Sequence, residues 1–124
     1  MSQARILIVD DEPQLLQLVQ RYLKRFEYEV DAYSRALDAL SAFQSATVAY
    51  DLVIVDLALP DMPGDKLLAS MLNAKPALLM LICSGSPFSV SNLPLEVQNQ
   101  VGFLQKPFAP SMLAEAVAQL LARR

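Results

Sequence analysis

Short apolar runs alternate five times with longer segments of helical period, and this pattern constrains the fold more than any other feature. The runs are Ile6–Val9, Glu29–Tyr33, Leu52–Val55, Ala77–Cys83 and Val101–Gln105. The first, third and fourth are continuously apolar, the pattern of parallel strands covered on both faces. Between the first two runs, Leu15, Leu16, Val19, Tyr22, Leu23 and Phe26 recur at helical spacing. Gln14, Gln17, Arg21, Lys24 and Arg25 fall on the opposite side, so the apolar stripe is expected to bury against a sheet. Ser34 reads as the N-cap of a second helix carrying Leu37, Leu40 and Phe43. A third helix follows Gly64 with Leu67, Leu68, Met71 and Leu72 on one face. The last starts at Ser111, just after Pro110, and carries Leu113, Ala116, Val117, Leu120 and Leu121.

Five β-α units predict an α/β fold: an open five-stranded parallel sheet with helices on both faces and right-handed connections. The expected strand order is 2-1-3-4-5, as in flavodoxin-like folds, with ligands beyond the C-terminal strand ends. The 124 residues suit one domain over 1–124. The stretch between Ser84 and Val101 breaks the pattern. Pro87 and Pro94 oppose a long helix there, so a loop over residues 86–93 and a short helix from Pro94 to about Asn99 are expected.

Composition removes several classes of function. The chain has ten basic against thirteen acidic side chains and lacks a basic cluster, so direct nucleic-acid binding is not expected. The terminal Arg123-Arg124 pair is too short to change that. There is no histidine, which excludes His-based acid–base catalysis and His–metal ligation within the chain. Cys83 is the only cysteine and reads as a buried thiol. Met1 is followed by polar Ser2 and Gln3, and the longest apolar run, Ala77–Cys83, is far short of the roughly 20 residues of a membrane span. A soluble, cytoplasmic protein is expected.

Chemistry must therefore rest on carboxylates, lysine, hydroxyls and backbone groups. The sheet places Asp10 and Asp11 after the first strand, Asp56 at the end of the third, Ser84 at the end of the fourth and Lys106 after the fifth. Each has an ordinary reading. Asp11 could cap the first helix ahead of Pro13, Asp56 could end a strand in a turn, Ser84-Gly85 could open a loop, and Lys106 could be a solvated strand end. Those readings do not explain why four strands deliver acids, a hydroxyl and an ammonium to one edge. Three aspartates against one lysine leave an excess of negative charge that a divalent cation would neutralise. An all-oxygen donor set of this kind suits Mg²⁺. A carboxylate beside Mg²⁺ and an ammonium is positioned to attack phosphorus.

These residues resemble the receiver domain of bacterial response regulators over nearly the whole chain. The matching stretches are ILIVDDEP at 6–13, DLVIVDLALPDMPG at 51–64, LICSGS at 81–86 and GFLQKPF at 102–108. Pro60 and Gly64 also stand at the family's usual offsets from Asp56. The resemblance implies that Asp56 accepts a phosphoryl group from a histidine kinase, a histidine phosphotransfer protein or a small phosphodonor such as acetyl phosphate. It implies Mg²⁺ held by Asp10, Asp11, Asp56 and the backbone carbonyl of Ala58, with Lys106 pairing with a phosphoryl oxygen. Ser84 and Phe103 fall on the family's switch positions. The face over 94–122 would then change and meet a downstream effector or a second copy of the chain. Such a domain signals by being modified and is not a turnover enzyme.

Two features depart from the family pattern or vary within it. Ala58 and Ser86 are small and leave room for an attacking water, which bears on phosphoryl lifetime. The segment SPFSVSNLPLEVQNQ lacks the usual helical pattern, which bears on the output surface. Three other readings meet named obstacles. A pseudo-receiver, which only docks, would have lost site residues. An aspartyl phosphatase of the haloacid dehalogenase type would need an acid where Ala58 stands, and a flavodoxin would need a phosphate-binding loop where DDEP stands.

Overall fold

The computed structural model describes residues 4–45, 49–89, 91 and 93–123. Among the described residues, five strands, β1 (Arg5–Val9), β2 (Glu29–Tyr33), β3 (Leu52–Asp56), β4 (Leu79–Ser84) and β5 (Val101–Gln105), alternate with five helices. The helices are α1 (Pro13–Lys24), α2 (Ala36–Ser45), α3 (Gly64–Ala74), α4 (Leu95–Gln98) and α5 (Pro110–Leu121). All four strand pairings are parallel, and the order is β2-β1-β3-β4-β5.

The continuously apolar strands are explained by what covers them. Ile6, Ile8, Leu52, Ile54, Leu79 and Leu81 face Val19 and Leu23 of α1 and Leu113, Val117 and Leu120 of α5. Their neighbours Leu7, Val9, Val53, Val55, Met80 and Ile82 face the other way, against Ala36 and Ala39 of α2 and Leu67, Leu68 and Met71 of α3. Each fully buried aliphatic side chain contributes about 1.5–3 kcal/mol, so strand register is strongly fixed on both faces. Among the described residues, no helix is long and apolar enough to cross a membrane.

Several boundaries differ from the sequence reading. Ser34 does not begin α2. The helix starts at Ala36, and its first amides donate to Asp61, Ala36 N–H to Oδ1 at 2.8 Å and Leu37 N–H to Oδ2 at 2.9 Å. A carboxylate serves two orphan amides at once, where a serine hydroxyl would serve one. Those bonds hold the Asp61 carboxyl below its usual pKa, with Leu37 N–H the larger influence. Asp11 does not cap α1 either, because Glu12 occupies that position and makes no side-chain cap bond. Strand β4 begins at Leu79 instead of Ala77, and α5 begins one residue early, at Pro110.

The expected short helix after Pro94 is α4, four residues long, with Pro94 and Asn99 at its two ends. Of the loop expected before it, Val90 and Asn92 lie outside the described residues, as do Met1–Gln3 and Arg124.

Candidate functional site

The C-terminal edge of the sheet gathers the polar residues. Asp10 follows β1 directly, its N–H extending the ladder to the Tyr33 carbonyl at 3.1 Å. Its Oδ1 accepts the Glu12 N–H at 2.9 Å, which turns the chain into α1. Asp56 ends β3, and its Oδ1 accepts the Ala58 N–H at 3.1 Å. Ser84 ends β4, its Oγ accepting the Ser86 N–H at 3.1 Å. The Ser84 carbonyl accepts the Lys106 N–H at 2.8 Å, so the β4–β5 pairing itself delivers the lysine to the edge. Among the described residues, Asp10, Asp56 and Ser84 are the buried polar ones, each 4% exposed.

Lys106 is the centre of the cluster. Its Nζ lies 2.9 Å from Asp10 Oδ2, 2.9 Å from Glu12 Oε1 and 3.1 Å from Asp56 Oδ2. Burial alone would lower the Lys106 pKa, but the hydrogen bonds to Glu12 and Asp10 and their charges outweigh it, and the net shift is upward. The ammonium therefore stays charged at neutral pH. Burial raises the Asp10 pKa against the opposing pull of the Glu12 N–H and Lys106.

Asp10, Asp11, Glu12 and Asp56 each offer a carboxylate oxygen within 4.8 Å of the others. Against the single ammonium, that leaves a formal excess of three negative charges. The two buried acids form the floor, and the exposed Asp11 and Glu12 form the rim. The residues fit a metal by the chemistry of their donors, since hard oxygens without nitrogen or sulfur suit Mg²⁺ or a similar cation. A cleft of about 570 Å³ opens here, and Asp11, Asp56, Ala58, Gly85, Lys106 and Phe108 are among its lining residues.

The structure thus brings together Asp10, Asp11, Asp56 and Lys106, with Ser84 on the adjoining strand end and Ala58 in the cleft wall. Phe103 is not in the cluster. It lies on β5 opposite Ile82, half-buried, with its ring against Phe88 at 5.9 Å between centroids. The sequence reading missed Glu12, which bonds Lys106 as closely as Asp10 does. Its signal was the third acid of DDEP, which an acid at a helix start makes easy to overlook.

Gly64 gains a steric explanation. A Cβ there would meet Leu57 Cα at 2.5 Å and the Asp56 carbonyl oxygen at 2.8 Å. The start of α3 therefore closes directly onto the backbone that carries Asp56, and Gly64 N–H donates to the Leu57 carbonyl at 3.1 Å.

Residues 6–118 match the family model described as "Response regulator receiver domain". Among curated relatives, "Regulatory protein VanRB" of Enterococcus faecalis is 33% identical over 121 residues, covering 96% of this chain and 53% of that protein. "Two-component response regulator ARR11" of Arabidopsis thaliana is 42% identical over 64 residues, or 52% of this chain and 12% of that protein. The chain therefore spans about half, or much less, of these relatives. A crystal structure of a CheY-like receiver domain protein from Methanospirillum hungatei superposes with a TM-score of 0.85 at 27% identity, covering 98% of this chain and 96% of that one. The receiver domain of the hybrid histidine kinase CckA gives 0.78 at 30% identity, covering 95% and 99%. With the flavodoxin-like strand order and the acidic edge already in place, the chain belongs to the response regulator receiver domain family of two-component signalling.

Proposed function

We propose that Asp56 is the phosphoacceptor of this receiver domain and that phosphoryl transfer to it depends on Mg²⁺. The observation that carries this reading is the set of short contacts from Lys106 to Asp10, Glu12 and Asp56 at the mouth of an open cleft. Asp10, Asp11, Asp56 and the Ala58 carbonyl would hold the cation. When bound, it supplies the positive charge that offsets the crowded carboxylates and the incoming phosphoryl oxygens.

The chain's own residues do the rest. Asp56 is fixed at the end of a fully buried strand, and the Ala58 N–H holds one of its oxygens, leaving the other toward Lys106. That oxygen attacks phosphorus while the bond to the donor's imidazole nitrogen or acetyl oxygen breaks. Lys106 then moves its hydrogen bonds from carboxylate to phosphoryl oxygen, keeping its charge throughout. Positioning and charge compensation are the main demands of phosphoryl transfer, and both are met here without an acid–base residue. The Ser84 hydroxyl is the group on β4 able to turn to a new phosphoryl oxygen.

The phosphodonor is a histidine kinase or histidine phosphotransfer protein, and the changed face, over 94–122, meets an effector or a second copy. Similarity to "Sensor kinase CckA" of Brucella abortus, 27% identical over 121 residues, or 13% of that protein, supports the link to histidine-kinase relays. Intact-mass measurement with Mg²⁺ and acetyl phosphate should show one added phosphoryl group, lost in Asp56→Asn. An undiminished adduct in that variant would remove Asp56 from the role.

A further inference from the structure

The two segments leaving the site are tied down very differently. The one after β3 is pinned at three points: Ala58 N–H to Asp56 at 3.1 Å, Asp61 to the first amides of α2, and Gly64 against Leu57 with no room for a Cβ. The segment after β4 begins with the Ser86 N–H held at 3.1 Å by the Ser84 hydroxyl. The helix that follows is four residues long and buries none of them. Among the described residues of 85–93, Phe88 and Leu93 are the side chains packed on the core.

Phe88 makes two contacts that matter. Its ring meets Phe103 at 5.9 Å, with the planes tilted by 41°. It also lines an apolar groove of about 370 Å³ between α3 and α4, together with Leu57, Leu68, Ile82, Leu93 and Val97. Leu57 follows Asp56 in sequence, and Ile82 stands opposite Phe103 in the β4–β5 register. Phe103 is not among the residues lining that groove.

We propose that Phe88 is a positioning residue for Phe103, linking the Ser84 hydroxyl to β5. The proposal rests on the phosphoacceptor reading of Asp56. When the Ser84 hydroxyl turns toward a phosphoryl oxygen, it releases the Ser86 N–H, and the segment carrying Phe88 shifts. The loop after β3 cannot absorb the change, because its three ties oppose movement. Phe88 moves relative to the groove, and Phe103 follows the ring it packs against.

The chain has five phenylalanines, so 4-fluorophenylalanine labelling gives a readable ¹⁹F spectrum. Phe88→Leu and Phe103→Leu assign the two resonances by loss. Treatment with Mg²⁺ and acetyl phosphate should displace both resonances together, in step with the mass of one phosphoryl group. In Phe88→Leu the mass gain should persist while the displacement of Phe103 is lost, and Phe88→Tyr should restore it. A Phe103 resonance that responds equally in wild type and Phe88→Leu would overturn the proposal. Without phosphodonor, Phe88→Leu should already move the Phe103 resonance by removing a ring current, and no movement would overturn the contact itself. No mass gain in wild type would sink the phosphoacceptor reading, and this proposal with it.

Discussion

Replacing Gly64 with alanine should damage the fold and the site together, and the size of the effect follows from three distances. The added Cβ would stand 2.5 Å from Leu57 Cα, 2.8 Å from the Asp56 oxygen and 3.0 Å from the Leu57 oxygen. Carbon atoms rest at about 3.5–4.0 Å, so α3 and β3 must separate by roughly 1 Å. All three obstacles are backbone atoms, and no side chain can rotate away. Overpacking of this kind costs about 1–3 kcal/mol or more. Alanine recovers about 0.4–1 kcal/mol through the unfolded chain, too little to change the sign.

For a domain of this size, each kcal/mol lowers Tm by roughly 3–6 °C, so a fall of about 5–10 °C is expected. Two other glycines serve as rulers. A Cβ on Gly102 would meet the Leu120 and Leu81 side chains at 3.3 and 3.4 Å, and one on Gly85 would meet nothing within 4 Å. Thermal unfolding followed by circular dichroism should rank Gly64→Ala far below Gly102→Ala, with Gly85→Ala near wild type. Phosphoryl uptake by folded Gly64→Ala should also slow, because Asp56 rides on the displaced backbone. A Gly64→Ala protein as stable as wild type would refute the close-approach argument.

Two further outcomes test the electrostatics. Saturating Mg²⁺ should raise Tm, by an amount equivalent to about 2.7 kcal/mol at 100 times Kd, and Asp11→Ala should remove most of that gain while matching or exceeding wild-type stability in chelator; equal shifts in both proteins would argue against the acidic cluster as the binding place. Burial pushes the Cys83 thiol from 9.0 up to about 12, so its stabilising contribution is intact below pH 9 and is lost as pH rises toward 12. The loss amounts to at most about 4 kcal/mol. Urea titrations across pH 8–11 should show a shallower decline in Cys83→Ala than in wild type, and parallel slopes would contradict the burial argument.

The sheet was legible because burial on both faces leaves an unbroken apolar run, which few other environments produce. Asp10, Asp56 and Ser84 were legible for a related reason: a polar residue directly ending such a run must lie at the strand's edge, and Lys106 was placed there because it follows the fifth strand. What escaped were pairings set by tertiary distance. Asp61 caps α2 from 25 residues away, and no local pattern announces that, whereas Ser34 offered a plausible local cap. Glu12 escaped because an acid at a helix start is ordinary, and its bond to Lys106 spans 94 residues. Phe88 escaped because its segment has no period from which a buried face could be read.

The repulsion among the acids is contained by the strands that carry them. Asp10 and Asp56 cannot drift apart, because they terminate strands whose apolar residues are almost completely buried. Moving either acid would drag Val9 or Val55 out of the core, at a cost of about 1.5–3 kcal/mol for each side chain exposed. The excess charge is therefore held in place, partly offset by Lys106 and partly solvated at Asp11 and Glu12. The charge that the proposed phosphorylation adds at Asp56 must be accommodated by whatever yields first. The β3 side is braced by Gly64 and Asp61, whereas the β4 side leads through one hydroxyl-held amide into a four-residue helix with no buried residue. Segments with so few buried contacts lie at the low end of local stability. On the proposed phosphorylation of Asp56, the difference in bracing predicts that the β4–β5 side yields first, with the strand-held acids as the fixed point.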